Sequence, residues 1–152
     1  MKKGLLIVVV FGLCISMSAC PKESEQDRVK KTIAAVQKAA EEKDIRKIID
    51  SLSKSYRDPE GNDYNSIKGL LLAYFFRHQK IHVFIPDIAV NIEDSHARAV
   101  FQAVLTGGSK TEAVTDIFPE SMGMYEFDVS LAKEFGDWKV TSAQWDRLGQ
   151  NQ

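Results

Sequence analysis

The apolar periodicity of this 152-residue chain changes once and does not change back. As far as Phe76 apolar residues recur every three or four positions. From Lys80 onward they alternate, as in Ile81, Val83, Ile85 and, past Pro86, Ile88, Val90 and Ile92. A period near 3.6 marks amphipathic helices and a period of two marks half-buried strands. No helix remains between the strands to cross over parallel neighbours, so the strands pair antiparallel and the chain is an α+β domain.

Three helices are predicted. The first carries Val29, Ile33, Val36 and Ala40 on one face, with Ser24 as N-cap and Asp27 three residues on. Asp44 caps a short second helix whose face is Ile45, Ile48, Ile49 and Leu52, so the two form a bent pair. Residues 55 to 66, SYRDPEGNDYNS, read as a loop with turn chemistry. The third helix has Asn65 or Ser66 as cap and Ile67, Leu70, Leu71, Tyr74 and Phe75 on one face, widened by Leu72 and Phe76. As the most apolar helix it is the expected centre of the core.

Pro86 cannot donate to a ladder, so the first alternating run is an edge, a bend, or two short strands divided there. In HARAVFQAVLTG the set Ala97, Ala99, Phe101, Ala103 and Leu105 alternates with His96, Arg98, Val100, Gln102 and Val104, which suits a sheet packed closely on helices. Residues 106 to 121 read as a long loop that holds Val114, Ile117 and Phe118. Two further strands are joined by Gly136-Asp137, a glycine-first pair suited to a type II′ turn. Trp138 and Trp145 are an odd number of residues apart, so they face opposite ways in an unbulged strand.

At the amino end Lys2 and Lys3 precede the apolar run GLLIVVVFGLCI, which has the form of a secretory signal and falls short of the ~18–20 residues of a spanning helix. Small residues then stop against a cysteine at Ser18-Ala19-Cys20. This resembles the lipobox of bacterial lipoproteins, with Met17 where that family prefers Leu. The resemblance implies cleavage before Cys20 and acylation of its thiol and new amino group. Cys14, the other cysteine, would leave with the signal, so the mature chain has no disulfide framework. The expected organisation is a signal peptide over 1–19, an acylated cysteine and short tether over 20–24, and one domain over 25–148. Two or three acyl chains hold essentially permanently, so the expected partner is a membrane reached through the lipid anchor. Pro21 is not the aspartate linked to inner-membrane retention in enteric-type lipoproteins, which favours the periplasmic face of the outer membrane. A net charge of −1 argues against nucleic acid and against a polybasic lipid-binding segment.

The helix pair broken at Lys43-Asp44, the Asp-Pro-Glu-Gly loop at 58 to 61, and the Gly-Asp-Trp-Lys-Val stretch at 136 to 140 followed by Trp145 are similar to the nuclear-transport-factor-2-like superfamily, the cone-shaped cystatin-like fold. That resemblance implies a strongly curved antiparallel sheet wrapped around three helices, with a hollow at one end. Relatives of this fold use the hollow for acid-base chemistry or for binding alone, and fold does not decide between them. The expected function is non-enzymatic binding of a small apolar ligand or an envelope protein. One alternative is a lyase or isomerase with Asp58, Asp63 or His78 as base and Tyr56, Tyr64 or Tyr74 as donor. Another is an interaction protein whose cavity is filled. His78, His82 and His96 have no cysteine or clustered acids beside them and make a poor metal site, so neither metal nor cofactor is expected. Arg98, Val100, Gln102 and Val104 form a candidate face for a homodimer.

Overall fold

The computed structural model describes residues 23–109 and 123–149. Helices α1 (Glu25–Glu41), α2 (Ile45–Asp50) and α3 (Tyr64–Arg77) precede strands β1 (His78–Phe84), β2 (Ile88–Glu93), β3 (His96–Ser109), β4 (Gly123–Glu134) and β5 (Asp137–Leu148). All strand pairs are antiparallel, and the sheet is a strongly curved half-barrel. β3 is central: β1 lies along its carboxyl half and β2 along its amino half, on the same edge, with β4 and then β5 on the other side. The break between β1 and β2 falls at Pro86, which has no N–H to give the ladder. It takes the two-strand option left open by the sequence.

The helix ends follow local chemistry. The Ser24 hydroxyl accepts the Asp27 N–H, and Asp44 accepts that of Lys47. α1 closes in a Schellman motif: the Asp44 N–H bonds the Ala39 carbonyl and the Lys43 N–H that of Ala40, with Lys43 left-handed at φ 55°. For α3 the cap is Asp63, not Asn65 or Ser66. Its carboxylate accepts the N–H groups of Asn65 and Ser66 while the Ser66 hydroxyl accepts the Asp63 N–H, a reciprocal capping box. β1 starts directly after α3, so His78 is at once the C-cap of the helix and the first residue of the strand.

The centre of the core is α1 on the sheet, not α3. Val29 and Ile33 pack with Ala97, Ala99, Phe101, Ala103, Val129, Leu131, Trp138 and Val140, the alanines letting the helix approach the strands. α3 buries only Phe75 and leaves Leu72 53% and Phe76 81% exposed. It packs on α2 and β1, and its apolar surplus faces outward.

Three strand features depart from expectation. β3 continues through residues 106–109, the start of the expected loop; Val114, Ile117 and Phe118 lie outside the described residues. The β4–β5 turn has positive φ at Phe135 (51°) and Gly136 (93°), with Glu134 paired to Asp137. It is therefore type I′ with glycine second, not type II′ with glycine first. Finally, Leu131 pairs with Val140 but Ser130 with Ser142, which leaves Thr141 as an extra residue in β5. This bulge reverses side-chain parity. Trp138, Val140, Ala143 and Trp145 consequently share the concave face, and the two tryptophans do not oppose each other. The outer edge of β5 is covered by residues 51–57: Ser53 N–H donates to the Val140 carbonyl, Val140 N–H to Ser51, and Arg57 N–H to Thr141.

Candidate ligand-binding cavity

Curvature of the sheet and the outward lean of α3 leave a hollow of about 290 Å³ between α1, α3 and the concave face. Its wall is almost wholly apolar. The floor is buried, with Leu52, Phe101 and Val129 among its residues, whereas Ile67, Leu71, Ile85 and Leu105 are half-buried and Trp145 is 40% exposed. Those partly exposed residues mark the rim. Phe127 stacks on Phe101 with ring centroids 5.3 Å apart and meets Trp145 at 6.3 Å, forming an aromatic strip across three strands. The polar group of Gln37 is engaged, its amide donating to the Val83 carbonyl at 2.6 Å.

Of the candidate chemical residues, Tyr56 and Tyr74 reach the cavity wall. Tyr56 is buried, and burial first, then the Asp58 carboxylate, pushes its phenol well above the ordinary tyrosine range. Asp58 is also buried, but it stands behind Tyr56, whose hydroxyl donates to it at a long 3.4 Å. Its two oxygens accept the backbone N–H of Asn62 at 2.8 Å and the Asn62 side-chain amide at 2.9 Å. The Asp58 backbone N–H also donates to the Asn62 carbonyl, so the side chain closes the 58–62 turn. Asp63 is occupied as the α3 cap, which lowers its carboxyl pKa, chiefly through the Ser66 N–H. Tyr64 lies under the Lys54 ammonium, 3.9 Å from the ring centroid, and its hydroxyl accepts from that group.

His78 packs on Tyr74 at 4.4 Å between ring centroids, outside the cavity wall. Burial, then the charges of Lys43 and Arg77, lowers its pKa, and its Nδ1 is buried without a hydrogen-bond partner. Among the described residues that line the cavity there is no carboxylate or imidazole. Among the described residues no three His, Cys, Asp or Glu side chains are grouped to hold a metal ion. The hollow can therefore enclose and orient an apolar body, and the polar side chains its described wall offers are the phenols of Tyr56 and Tyr74 and the amide of Gln37.

Arg98, Val100, Gln102 and Val104 lie on the convex face, away from the cavity. Arg98 forms a two-point ion pair with Asp128, Nε to Oδ1 at 2.9 Å. Register places Phe84, Val104, Met124 and Leu148 in one row across four strands, of which sequence reasoning singled out only Val104. The other omission was the aromatic strip. Alternation in MYEFDVSLAKEF could have pointed to Phe127, but nothing local announces the bulge that turns Trp145 inward.

No protein-family model and no curated protein matches the chain. Solved structures do. A candidate scytalone dehydratase from Novosphingobium aromaticivorans superposes with a TM-score of 0.71 at 10% identity, covering 81% of this chain and 83% of its own. A Nostoc punctiforme protein of unknown function with a cystatin-like fold gives 0.65 at 9%, covering 84% and 95%. A Bdellovibrio bacteriovorus protein gives 0.68 at 13%, covering 82% of this chain, which spans only 41% of that protein's length. The fold is thus the cystatin-like, nuclear-transport-factor-2-like cone. Identities this low carry the architecture alone.

Proposed function

We propose that this protein is a lipid-anchored envelope protein whose cone holds a small, predominantly apolar molecule. The cavity carries the reading: about 290 Å³, at the small end of the ~300–1,000 Å³ usual for small-molecule sites, with an apolar wall and an aromatic strip running from Phe101 in the floor to Trp145 at the rim. The unfilled volume weighs against a cavity plugged by its own side chains. The acid-base alternative has Tyr56 at the wall, but Asp58 is committed to Asn62 and the remaining candidate bases lie elsewhere.

Trp145 supplies the assay. Titration of the purified chain with naphthalene-class and short acyl-chain probes should change its emission saturably, and Trp145→Phe should abolish the change. A flat titration across both classes sinks the binding reading. Anchoring rests on Ser18-Ala19-Cys20. Cys20→Ala should lose palmitate label and leave the membrane fraction, and a retained label would refute it. A convex-face homodimer is supported by the row Phe84, Val104, Met124 and Leu148 beside Val100 and Gln102. Sedimentation of the mature chain decides that: a monomer at high concentration removes it.

A further inference from the structure

Phe135 is fully exposed at the tip of the β4–β5 hairpin. A type I′ turn asks for φ above zero at both central residues, which favours Asn-Gly, and a bulky side chain there is an outlier. Phe135 nevertheless holds φ 51° with its ring in solvent, so neither turn chemistry nor packing explains it. Its position in the fold does. The Arg28 guanidinium donates to the Gly136 carbonyl. Glu25 accepts Lys133 Nζ at 2.9 Å and Trp138 Nε1 at 2.8 Å. These bonds fasten the hairpin to the first turn of α1, the end at which the chain leaves for Cys20. From Cys20 to the Ser24 cap is four residues, at most about 14 Å of chain. An acylated Cys20 would hold this end of the domain, with Phe135 on it, within reach of the bilayer.

We infer that Phe135 inserts into the headgroup region of the membrane to which Cys20 is anchored, fixing the orientation of the domain on that surface. The inference rests on the anchor reading above. A lone phenylalanine binds too weakly to recruit a protein, and the charges nearby are mixed: Arg28, Lys31, Lys133 and Lys139 against Glu23, Glu25, Glu134 and Asp137. Once acyl chains supply the attachment, insertion is intramolecular and needs only to compete with free tumbling on the tether. The orientation has a consequence for the cavity. Phe127 lies seven residues along β4 from Glu134, roughly 23 Å at strand rise. Docking by the hairpin therefore sets the aromatic strip and Trp145 away from the lipid surface, toward whatever delivers the ligand.

The test uses the full chain, lipidated in cells and reconstituted into phosphatidylethanolamine–phosphatidylglycerol vesicles. A nitroxide is attached through Asp137→Cys, beside an intact Phe135, and separately through Gln144→Cys on the convex face. Collisions with oxygen, which concentrates in the bilayer, are compared with those of a water-soluble nickel chelate. Reconstitution should raise the oxygen-to-nickel ratio several-fold at position 137 and leave it unchanged at 144. Adding Phe135→Asp should return position 137 to its detergent value while acyl label and vesicle association persist. An unchanged ratio at 137 in acyl-labelled, vesicle-bound protein overturns this inference alone, as does shielding from both reagents, which would mean another copy covers the tip. Absence of the acyl label overturns the anchor reading and this inference with it.

Discussion

Lys43 occupies a backbone conformation that disfavours its own side chain. At φ 55° in the C′ position of α1 a glycine would be easier, yet Lys43 Nζ donates to the carbonyls of Phe75, at 3.2 Å, and His78. Those are carbonyls at the α3–β1 junction, so one residue ties the bend between α1 and α2 to the wall of the cavity. Lys43→Gly removes the backbone penalty but also both charge-assisted bonds. The expected net is a loss of about 1–2 kcal/mol in urea unfolding, the bonds outweighing the relieved φ. Glu25 makes the corresponding tie at the other end of α1. Lys133 first, then Trp138, holds its carboxyl pKa at about 2, below the ordinary 4.5. Because the folded value is the lower one, the ionised form favours folding. That contribution is complete above pH 4.5 and disappears as pH falls toward 2. Urea midpoints should decline over that interval, and Glu25→Gln should flatten the decline. The side chain is 40% exposed, so added salt should shrink the difference.

At the scale of elements, the bulge at Thr141 decides which β5 side chains see the cavity. Amino-terminal to it Trp138 and Val140 face inward, and beyond it Ala143 and Trp145 do so only because one residue is left unpaired. Deleting Thr141 would restore strict alternation. Ala143 would still pair with Val129 and Trp145 with Phe127, so both would stay on the concave face. The cost is the lost Arg57 bond to the Thr141 carbonyl. The deletion should lower stability by about 0.5–1.5 kcal/mol, as expected for one hydrogen bond, and leave the probe-induced change in tryptophan emission in place. Chemical denaturation and the titration described above check the two halves separately. Elements whose signals are local were legible: the caps of α1 and α2, the break at Pro86, and the alternation of β3. The outward face of α3 was not, because apolar content reports affinity for an interior without saying whether the interior is already filled by α1.

For the molecule as a whole, the hollow is a liability unless it is used. A sealed apolar void of this size would cost up to about 7 kcal/mol at ~24 cal/mol per Å³, against a usual domain stability of ~5–15 kcal/mol. Its open rim lowers that penalty without removing the exposed apolar wall. Filling should therefore be tolerated. Ala103→Leu, on the buried cavity wall, should change stability by less than about 1.5 kcal/mol, since overpacking and void removal oppose each other. It should weaken probe affinity at least tenfold. A destabilised variant that still binds would place the ligand elsewhere.

By itself the sequence determined the class of the fold. Period, capping residues and turn residues act over a few positions, and the order helices-then-strands leaves antiparallel pairing as the arrangement available without crossovers. It also marked Tyr56 and Tyr74 among many polar and aromatic residues, though it could not separate them from Asp63 and Tyr64, which serve a helix cap and a surface cation contact. The tertiary structure alone decided that Asp58 serves its own turn, that Trp145 faces the cavity, and that Phe135 stands beside the start of α1. Asp58 is settled by Asn62 four residues on, whereas the other two depend on groups brought together from distant parts of the chain or on a single unpaired residue that shifts register. Neither leaves a periodic trace in the sequence.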